Sequence, residues 1–121
     1  MTNPASQNEF LLLSRGQWDA DKSPQQIQAA IDAFYAWHER LVAEGRFKSG
    51  QRLAKEAKLV TRSGVVDGPF TEAKEVVGGF AMVEVKSMAE AREVARQFME
   101  IHLKHWPEFE GECEVRPLED M

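Results

Sequence analysis

Apolar residues form two kinds of pattern along the chain, short runs typical of strands and longer stripes typical of helices. Residues 9–14 contain an apolar run without helical spacing, which predicts a first strand, central in its sheet and buried on both faces. Residues 80–85 predict a second central strand for the same reason. Residues 112–116 alternate charged and apolar side chains, as a half-exposed last strand does.

Two helices are predicted between these strands, each from a start signal followed by an apolar stripe. Residues 23–26 combine an N-cap serine, a proline at the first helical position and a capping-box glutamine, and Gly45 supplies the stop. Residues 87–90 form a second capping box, and that helix runs toward His102. The stripes expected to face the sheet are Ile27, Ile31, Phe34, His38 and Leu41, and then Ala91, Val94, Ala95 and Phe98.

A hairpin is predicted between the two helices. Residues 50–54 and 58–62 have strand character, and Ser63-Gly64 is a tight-turn signal that leads back into residues 65–67. Gly68-Pro69 then breaks the ladder, because proline has no N–H for strand pairing. Asp67 is therefore expected at the end of a strand.

The order β-α-β-β-α-β predicts the α+β class, with a ferredoxin-like antiparallel sheet that carries both helices on one face. We expect a single domain over residues 9–119, preceded by a polar tail at residues 1–8. The central strands have apolar residues at both parities, so the second face of the sheet should also be apolar. A homodimer formed through that face is the expected assembly.

Composition and charge narrow the function classes. The 121 residues are 43% hydrophobic and 29% charged, as in an ordinary folded domain, and the net charge of -5 argues against a nucleic-acid partner. No apolar run approaches the ~20 residues that span a bilayer, and residues 1–9 lack secretory features, so we expect a cytoplasmic protein without a membrane partner. Cys113, the single cysteine, lies between two glutamates, which disfavour a reactive thiolate.

Three segments carry a family resemblance: Gly50-Gln51-Arg52-Leu53, Glu114-Val115-Arg116-Pro117, and the longer Asp67-Gly68-Pro69-Phe70-Thr71-Glu72, which continues through Lys74-Glu75 to Gly78-Gly79-Phe80. Together they resemble the DGPF proteins, a branch of the YCII-related family. The resemblance implies ferredoxin-like subunits that pair sheet to sheet as a dimeric α/β barrel. Many members are small bacterial proteins of unassigned function, some encoded beside extracytoplasmic-function sigma factors, which implies a role accessory to transcriptional regulation.

Enzyme-like relatives in the wider family are thought to use a paired histidine and aspartate, with the histidine near the start of the first helix. Residues 23–28 contain no histidine, so only Asp67 corresponds to that pair. As a general base, Asp67 would need burial to raise its pKa and a donor to orient it. The alternative is structural, because an aspartate before Gly-Pro often ties down a turn by accepting backbone N–H bonds.

Charged residues elsewhere offer further candidate ligand contacts. Glu72 and Lys74 lie near the Gly-Pro turn and would either meet an acidic or phenolic ligand or form a solvated segment. Glu114 and Arg116 share the face of the last strand that points away from the helices. There they would either brace the dimer as an ion pair or clamp a ligand carboxylate.

The histidines give no metal-site pattern. His38 lies in the stripe of the first helix and is predicted to be a buried, hydrogen-bonded core residue. His102 and His105 share a helix face but have no obvious third ligand, so we expect no metal and keep His105 as a candidate ligand contact. No phosphate loop, serine-hydrolase elbow or Cys-x-x-Cys pair occurs, and no cofactor is expected.

Two functions fit these observations. The first is a homodimeric small-molecule-binding protein of the DGPF type, and it predicts a pocket without a perturbed acid. The alternative is a cofactor-independent enzyme that acts on a small aromatic or lactone-like substrate with Asp67 as general base. It predicts that Asp67 is desolvated beside a histidine or an arginine.

Overall fold

The computed structural model describes residues 8–16, 22–54, 56–67 and 77–119. In chain order these contain β1 (Glu9–Arg15), α1 (Pro24–Ala43), β2 (Phe47–Arg52), β3 (Lys58–Thr61), β4 (Gly64–Asp67), β5 (Val77–Glu84), α2 (Met88–His105) and β6 (Glu112–Pro117). Neither of these two helices is long and apolar enough to cross a membrane.

Four of the strands form one antiparallel sheet in the order β2-β5-β1-β6. β1 pairs with β5 and with β6, and β5 also pairs with β2. Because α1 connects β1 to β2 and α2 connects β5 to β6, the strand order is that of a ferredoxin-like sheet. The predicted α+β fold class is therefore confirmed, and β1 and β5 are the two central strands.

The hairpin of β3 and β4 stands apart from this sheet. Thr61 pairs with Gly64, whose φ of 137° is open to glycine but strained for other residues, so the predicted turn is confirmed. The segment expected at residues 50–54 does not belong to the hairpin, because β2 begins earlier and pairs with β5. Four apolar hairpin side chains are 49–74% exposed: Leu59, Val60, Val65 and Val66.

Strand register decides which side chains face the helices. Phe10 lies opposite Val83, Leu12 lies opposite Ala81, and this face packs beneath α1 and α2. The two helices and the segment between β5 and α2 complete the core. Their buried members are Trp37, Leu41, Val85, Ala91, Val94 and Ala95.

The first helix begins where the sequence predicts and is rotated slightly from the predicted stripe. The Ser23 hydroxyl accepts from the Gln26 N–H at 3.1 Å, and the Gln26 side chain accepts from the Ser23 N–H at 3.0 Å. This reciprocal pair satisfies N–H groups that a helix leaves open. Trp37 is buried, whereas Phe34 and His38 are half-buried, so the stripe turns toward the tryptophan.

The other face of the sheet is only half-buried in the described chain. Leu11 pairs with Met82 and Leu13 with Phe80, and none of these four side chains is fully buried. The expectation that β1 is buried on both faces is therefore corrected. One face of β1 is covered by the helices, and the other has no covering layer within the described residues.

Candidate functional site

A cavity of about 520 Å³ lies between the helices and the sheet. Its floor consists of sheet positions with small side chains or none. Register brings them together, because Ser14 lies opposite Gly79 on β5 and opposite Cys113 on β6. Small residues leave space beneath a helix that larger ones would fill. The floor residues are Ser14, Gly50, Gly79, Ala81 and Cys113.

The walls of the cavity are largely aromatic. Phe34 and Trp37 on α1 meet Phe98 on α2, with ring centroids 5.5 Å and 5.7 Å from that of Phe98. Trp37 also donates from Nε1 to Gln97 Oε1 at 3.2 Å, which fixes its indole ring. Apolar walls of this kind provide most of the contact area in ordinary small-molecule sites.

His102 is the polar residue buried most deeply at this cavity, with only 3% of it exposed. Its Nδ1 lies 3.0 Å from the Phe98 carbonyl oxygen, one turn earlier in α2. Its ring stacks on Phe109 at 4.6 Å and meets Phe34 edge-on at 4.8 Å. Burial lowers the pKa of His102 below its usual value, because the charged imidazolium loses its hydration. Nothing in the sequence pattern distinguishes His102 as the buried histidine.

His38 also lines the cavity, which corrects its predicted place in the core. Its imidazole is half-buried and meets the Phe47 ring edge-on at 4.4 Å. The physical reason is the rotation of α1, which buries Trp37 and leaves its neighbour His38 at the cavity wall. Two imidazoles from different helices therefore reach one cavity.

Two polar residues at the cavity belong to a segment that carried the family resemblance. Gln51 and Arg52 lie at the end of β2, opposite Phe80 and Gly79 of β5. A Cβ at Gly50 would lie 2.9 Å from the Phe47 ring and 2.8 Å from the Phe80 carbonyl oxygen. Glycine is therefore required there for the close approach of Phe47.

Cys113 lies on the floor as a protonated thiol. Burial raises its pKa to about 11, because a thiolate would lose hydration there. The prediction of a weak nucleophile agrees with this environment, although the sequence argument attributed it to the flanking glutamates. The thiol contributes volume and weak polarity to the cavity.

Asp67, the predicted general base, lies on the exposed hairpin and not at this cavity. Its side chain is 72% exposed and accepts from Lys58 Nζ at 2.6 Å. Within the described chain Asp67 is therefore neither desolvated nor beside a histidine or an arginine, because its partner is a lysine and most of its side chain is exposed. Gly68, Pro69, Glu72 and Lys74 lie outside the described residues.

Glu114 and Arg116 lie where the sequence placed them, on the sheet face away from the helices, opposite Leu13 and Leu11. Glu114 accepts from Arg15 at 2.9 Å and lies 3.6 Å from Arg116. This cluster borders the half-buried apolar residues of that face. It does not line the helix-side cavity.

His105 is separated from His102 by the geometry of the helix end. His102 points into the aromatic cluster, whereas His105 lies beside Trp106, at a centroid distance of 6.1 Å, and lines a polar groove between the outer faces of α1 and α2. Among the described residues no group of three or more histidine, cysteine, aspartate or glutamate side chains could hold a metal ion.

Comparison with known proteins gives a domain family and a shared fold. A sequence model of the YCII-related domain matches residues 9–105. No curated protein matches the chain. The 5-chloro-2-hydroxyhydroquinone dehydrochlorinase of Burkholderia phenoliruptrix AC1100, solved in complex with 2,5-dihydroxybenzoquinone, is similar with a TM-score of 0.50 and 19% identity, over 93% of this chain and 95% of that chain.

A second solved structure extends the likeness to an enzyme with a different activity. The hydroxynitrile lyase of Passiflora edulis is similar with a TM-score of 0.51 and 8% identity, over 95% of this chain and 97% of that chain. At such low identities the likeness shows the fold alone. One fold commonly carries several chemistries, so activity must be argued from the site.

Proposed function

Because the chain belongs to the YCII-related domain family, we propose that it is a homodimeric protein that binds a small, oxygenated ring compound in the cavity between the helices and the sheet. The observation that carries this proposal is the cavity itself, about 520 Å³ in volume with aromatic walls and a few polar groups. A volume of this size falls within the ~300–1,000 Å³ range of ordinary ligand sites.

The lining favours a flat ligand with oxygen substituents. Phe34, Trp37 and Phe98 present ring surfaces on which another ring can pack. His38 and His102 add two imidazoles, and Arg52 adds a guanidinium, so hydroxyl or carbonyl oxygens on the ligand would find partners. The structural neighbour from Burkholderia supports this ligand class, since its complex contains 2,5-dihydroxybenzoquinone.

Filling the floor of the cavity tests this proposal. Ser14→Leu adds a branched side chain between Gly79 of β5 and Cys113 of β6, in space that the ligand would occupy. We expect resorcinol and 2,5-dihydroxybenzoquinone to raise the melting temperature of the wild-type protein, because a ligand of the native state stabilises it. The Ser14→Leu variant should lose that increase while remaining folded.

Ser49→Leu is the matched control, because Ser49 is exposed and pairs with Met82, away from the cavity. It should keep the wild-type response to both compounds. Equal responses from the two leucine variants would place the ligand elsewhere, and no response of the wild-type protein to either compound would contradict the proposed ligand class.

The enzyme alternative with Asp67 as general base gains no support from the described contacts. An exposed carboxylate paired with Lys58 lacks the enclosed position beside a substrate that a general base needs. Binding is therefore the function that the site favours. The role accessory to transcriptional regulation stays a prediction from the resemblance.

The homodimer is the part of the proposal that concerns the uncovered sheet face. Leu11, Leu13, Phe80 and Met82 form an apolar patch there, bordered by the charges of Arg15, Glu114 and Arg116. Two copies of such a patch can bury each other about a two-fold axis. Light scattering at low micromolar concentration should give twice the mass of the chain, and Leu13→Asp should give the monomer mass. A monomeric wild-type protein would contradict this assembly.

A further inference from the structure

We infer that His102 is the hydrogen-bond acceptor that makes the cavity prefer ring compounds with a free hydroxyl over their methyl ethers. This inference rests on the proposed function and adds to it the class of ligand and the residue that selects it. Its basis is the position of one imidazole nitrogen in an apolar surrounding.

The first step is that His102 is buried in an apolar surrounding, and that the described residues provide a hydrogen-bond partner for only one of its two ring nitrogens. Among the described residues, His102 is the one polar or charged residue that is buried, with 3% exposure. Its neighbours are the rings of Phe34, Phe98 and Phe109, none of which offers a conventional donor or acceptor. Among the described residues, Nε2 is not one of the fully buried atoms that lack a partner, so it keeps some accessible surface, and a partner can reach it from the cavity that His102 lines.

The second step fixes the tautomer of the ring. Nδ1 lies 3.0 Å from the Phe98 carbonyl oxygen, and a carbonyl oxygen can only accept, so Nδ1 carries the proton. A neutral imidazole then has its lone pair on Nε2. Burial favours this neutral form, because the loss of hydration lowers the pKa of His102 more than the hydrogen bond to the Phe98 carbonyl oxygen raises it.

The third step places that lone pair at the cavity. Nδ1 is held against the backbone of α2, which leaves Nε2 as the ring nitrogen that a group in the cavity can reach. His102 lines the cavity, and within the part of the chain that the structure describes Nε2 has no hydrogen-bond partner. An acceptor in this position is satisfied by a ligand O–H and is left unpaired by a methoxy group.

The fourth step concerns the orientation of the ligand. Phe109 stacks on the His102 ring with an interplanar angle of 25°, and Phe34 meets the ring edge-on at 62°. These contacts hold the imidazole plane on two sides, so the direction of the Nε2 lone pair is set before a ligand arrives. A preorganised acceptor discriminates better than a mobile one.

A matched ligand pair tests the inference. Resorcinol and 1,3-dimethoxybenzene share the same ring and differ in whether each ring oxygen carries a hydrogen or a methyl group. Calorimetric titration of the wild-type protein should show about tenfold tighter binding of resorcinol, the effect of one well-placed hydrogen bond. His102→Phe keeps an aromatic ring in the cluster and removes the acceptor. The preference for resorcinol should therefore fall to about twofold or less.

Leu103→Phe is the control variant, because Leu103 is the next residue of α2 and is 44% exposed. It adds a ring outside the cavity and should keep the wild-type preference. Should His102→Phe not fold, a nitrogen NMR titration of the wild-type protein gives the answer directly. Resorcinol should shift the Nε2 resonance of His102 in the direction of an accepted hydrogen bond, and the dimethyl ether should not.

The outcomes separate this inference from the function on which it rests. If both compounds bind the wild-type protein equally and Ser14→Leu abolishes both, the cavity binds ring compounds and the role of His102 is wrong. If neither compound binds, the proposed ligand class and the role of His102 fail together. An unchanged preference in a folded His102→Phe protein also overturns the inference.

Discussion

Trp37→Ala is expected to lower the free energy of unfolding by about 3–5 kcal/mol, the range for removal of a large buried aromatic side chain. Trp37 is 6% exposed, packs in the core cluster and meets Phe98 at 5.7 Å. The substitution also leaves Gln97 Oε1 without its donor. The loss of unfolding free energy should lie near the upper end of this range. The space left by the indole would adjoin the existing cavity, and the rigid backbone of α1 limits how far the wall can collapse into it.

Trp37→Phe provides the matched comparison. It keeps most of the apolar contact but removes the indole hydrogen bond and the volume of the second ring, so the loss should be about 1–2 kcal/mol. Urea unfolding followed by circular dichroism, at one protein concentration for all variants, measures both values. A loss below about 1 kcal/mol for Trp37→Ala would show that the indole does not contribute to the core as its burial indicates.

The helices and the central strands could be predicted because their signals are local. The Ser23 capping box forms within four residues, and its two hydrogen bonds depend on nothing distant in the chain. The apolar runs of β1 and β5 likewise indicate central strands wherever the rest of the sheet lies. Local signals of this kind agree with the global fold, as expected of a sequence that specifies one structure.

The rotation of α1 was not predictable from spacing alone. The predicted stripe passes through Phe34 and His38, and the observed one passes through Trp37. The two directions differ by less than the rotation between successive helical residues, so the spacing of apolar residues cannot distinguish them. The small sheet residues beneath the helix decide between them. Ser14 and Gly79 present little side chain beneath α1 and line the cavity with His38, whereas Trp37 packs in the core.

The candidate site could be predicted only in part, because strand register assembles it. The sequence drew attention to Asp67, whose motif is contiguous, whereas Ser14, Gly79 and Cys113 are neighbours only through the pairing of three strands. One signal was present in the sequence. Gly50 and Gly79 interrupt strands, and glycines inside strands often mark a site where backbone or ligand approaches closely. His102 gave no such signal.

Gly111→Ala is expected to cost about 3 kcal/mol of unfolding free energy, the upper end for overpacking. A Cβ at this position would overlap both the Phe109 ring and the carbonyl oxygen of Arg15. The ring could move aside, but the carbonyl belongs to β1, whose Arg15 pairs with Glu112. The start of β6 must therefore shift away from β1, at the end of the sheet where the cavity floor lies.

The same substitution should change the titration of His102. Displacement of Phe109 removes the ring that stacks on the imidazole, so water reaches it and the charged form is penalised less. The pKa of His102, which burial holds below its ordinary value, should therefore rise. In the wild-type protein the lowered pKa means that stability is lost as the pH falls below the ordinary histidine pKa, since the unfolded chain then binds the proton more readily. That loss should be smaller in Gly111→Ala.

Gly78→Ala is the control for both effects, because its Cβ would lie 3.5 Å from the Gly16 carbonyl oxygen, an ordinary contact. Urea unfolding at pH 7 and at pH 5, with an NMR titration of the histidine rings, compares the two alanine variants with the wild-type protein. Gly78→Ala should keep the wild-type His102 pKa. Equal stability and an equal His102 pKa in Gly111→Ala would mean that Phe109 does not shield the imidazole, and the buried neutral acceptor at the cavity would lose its main support.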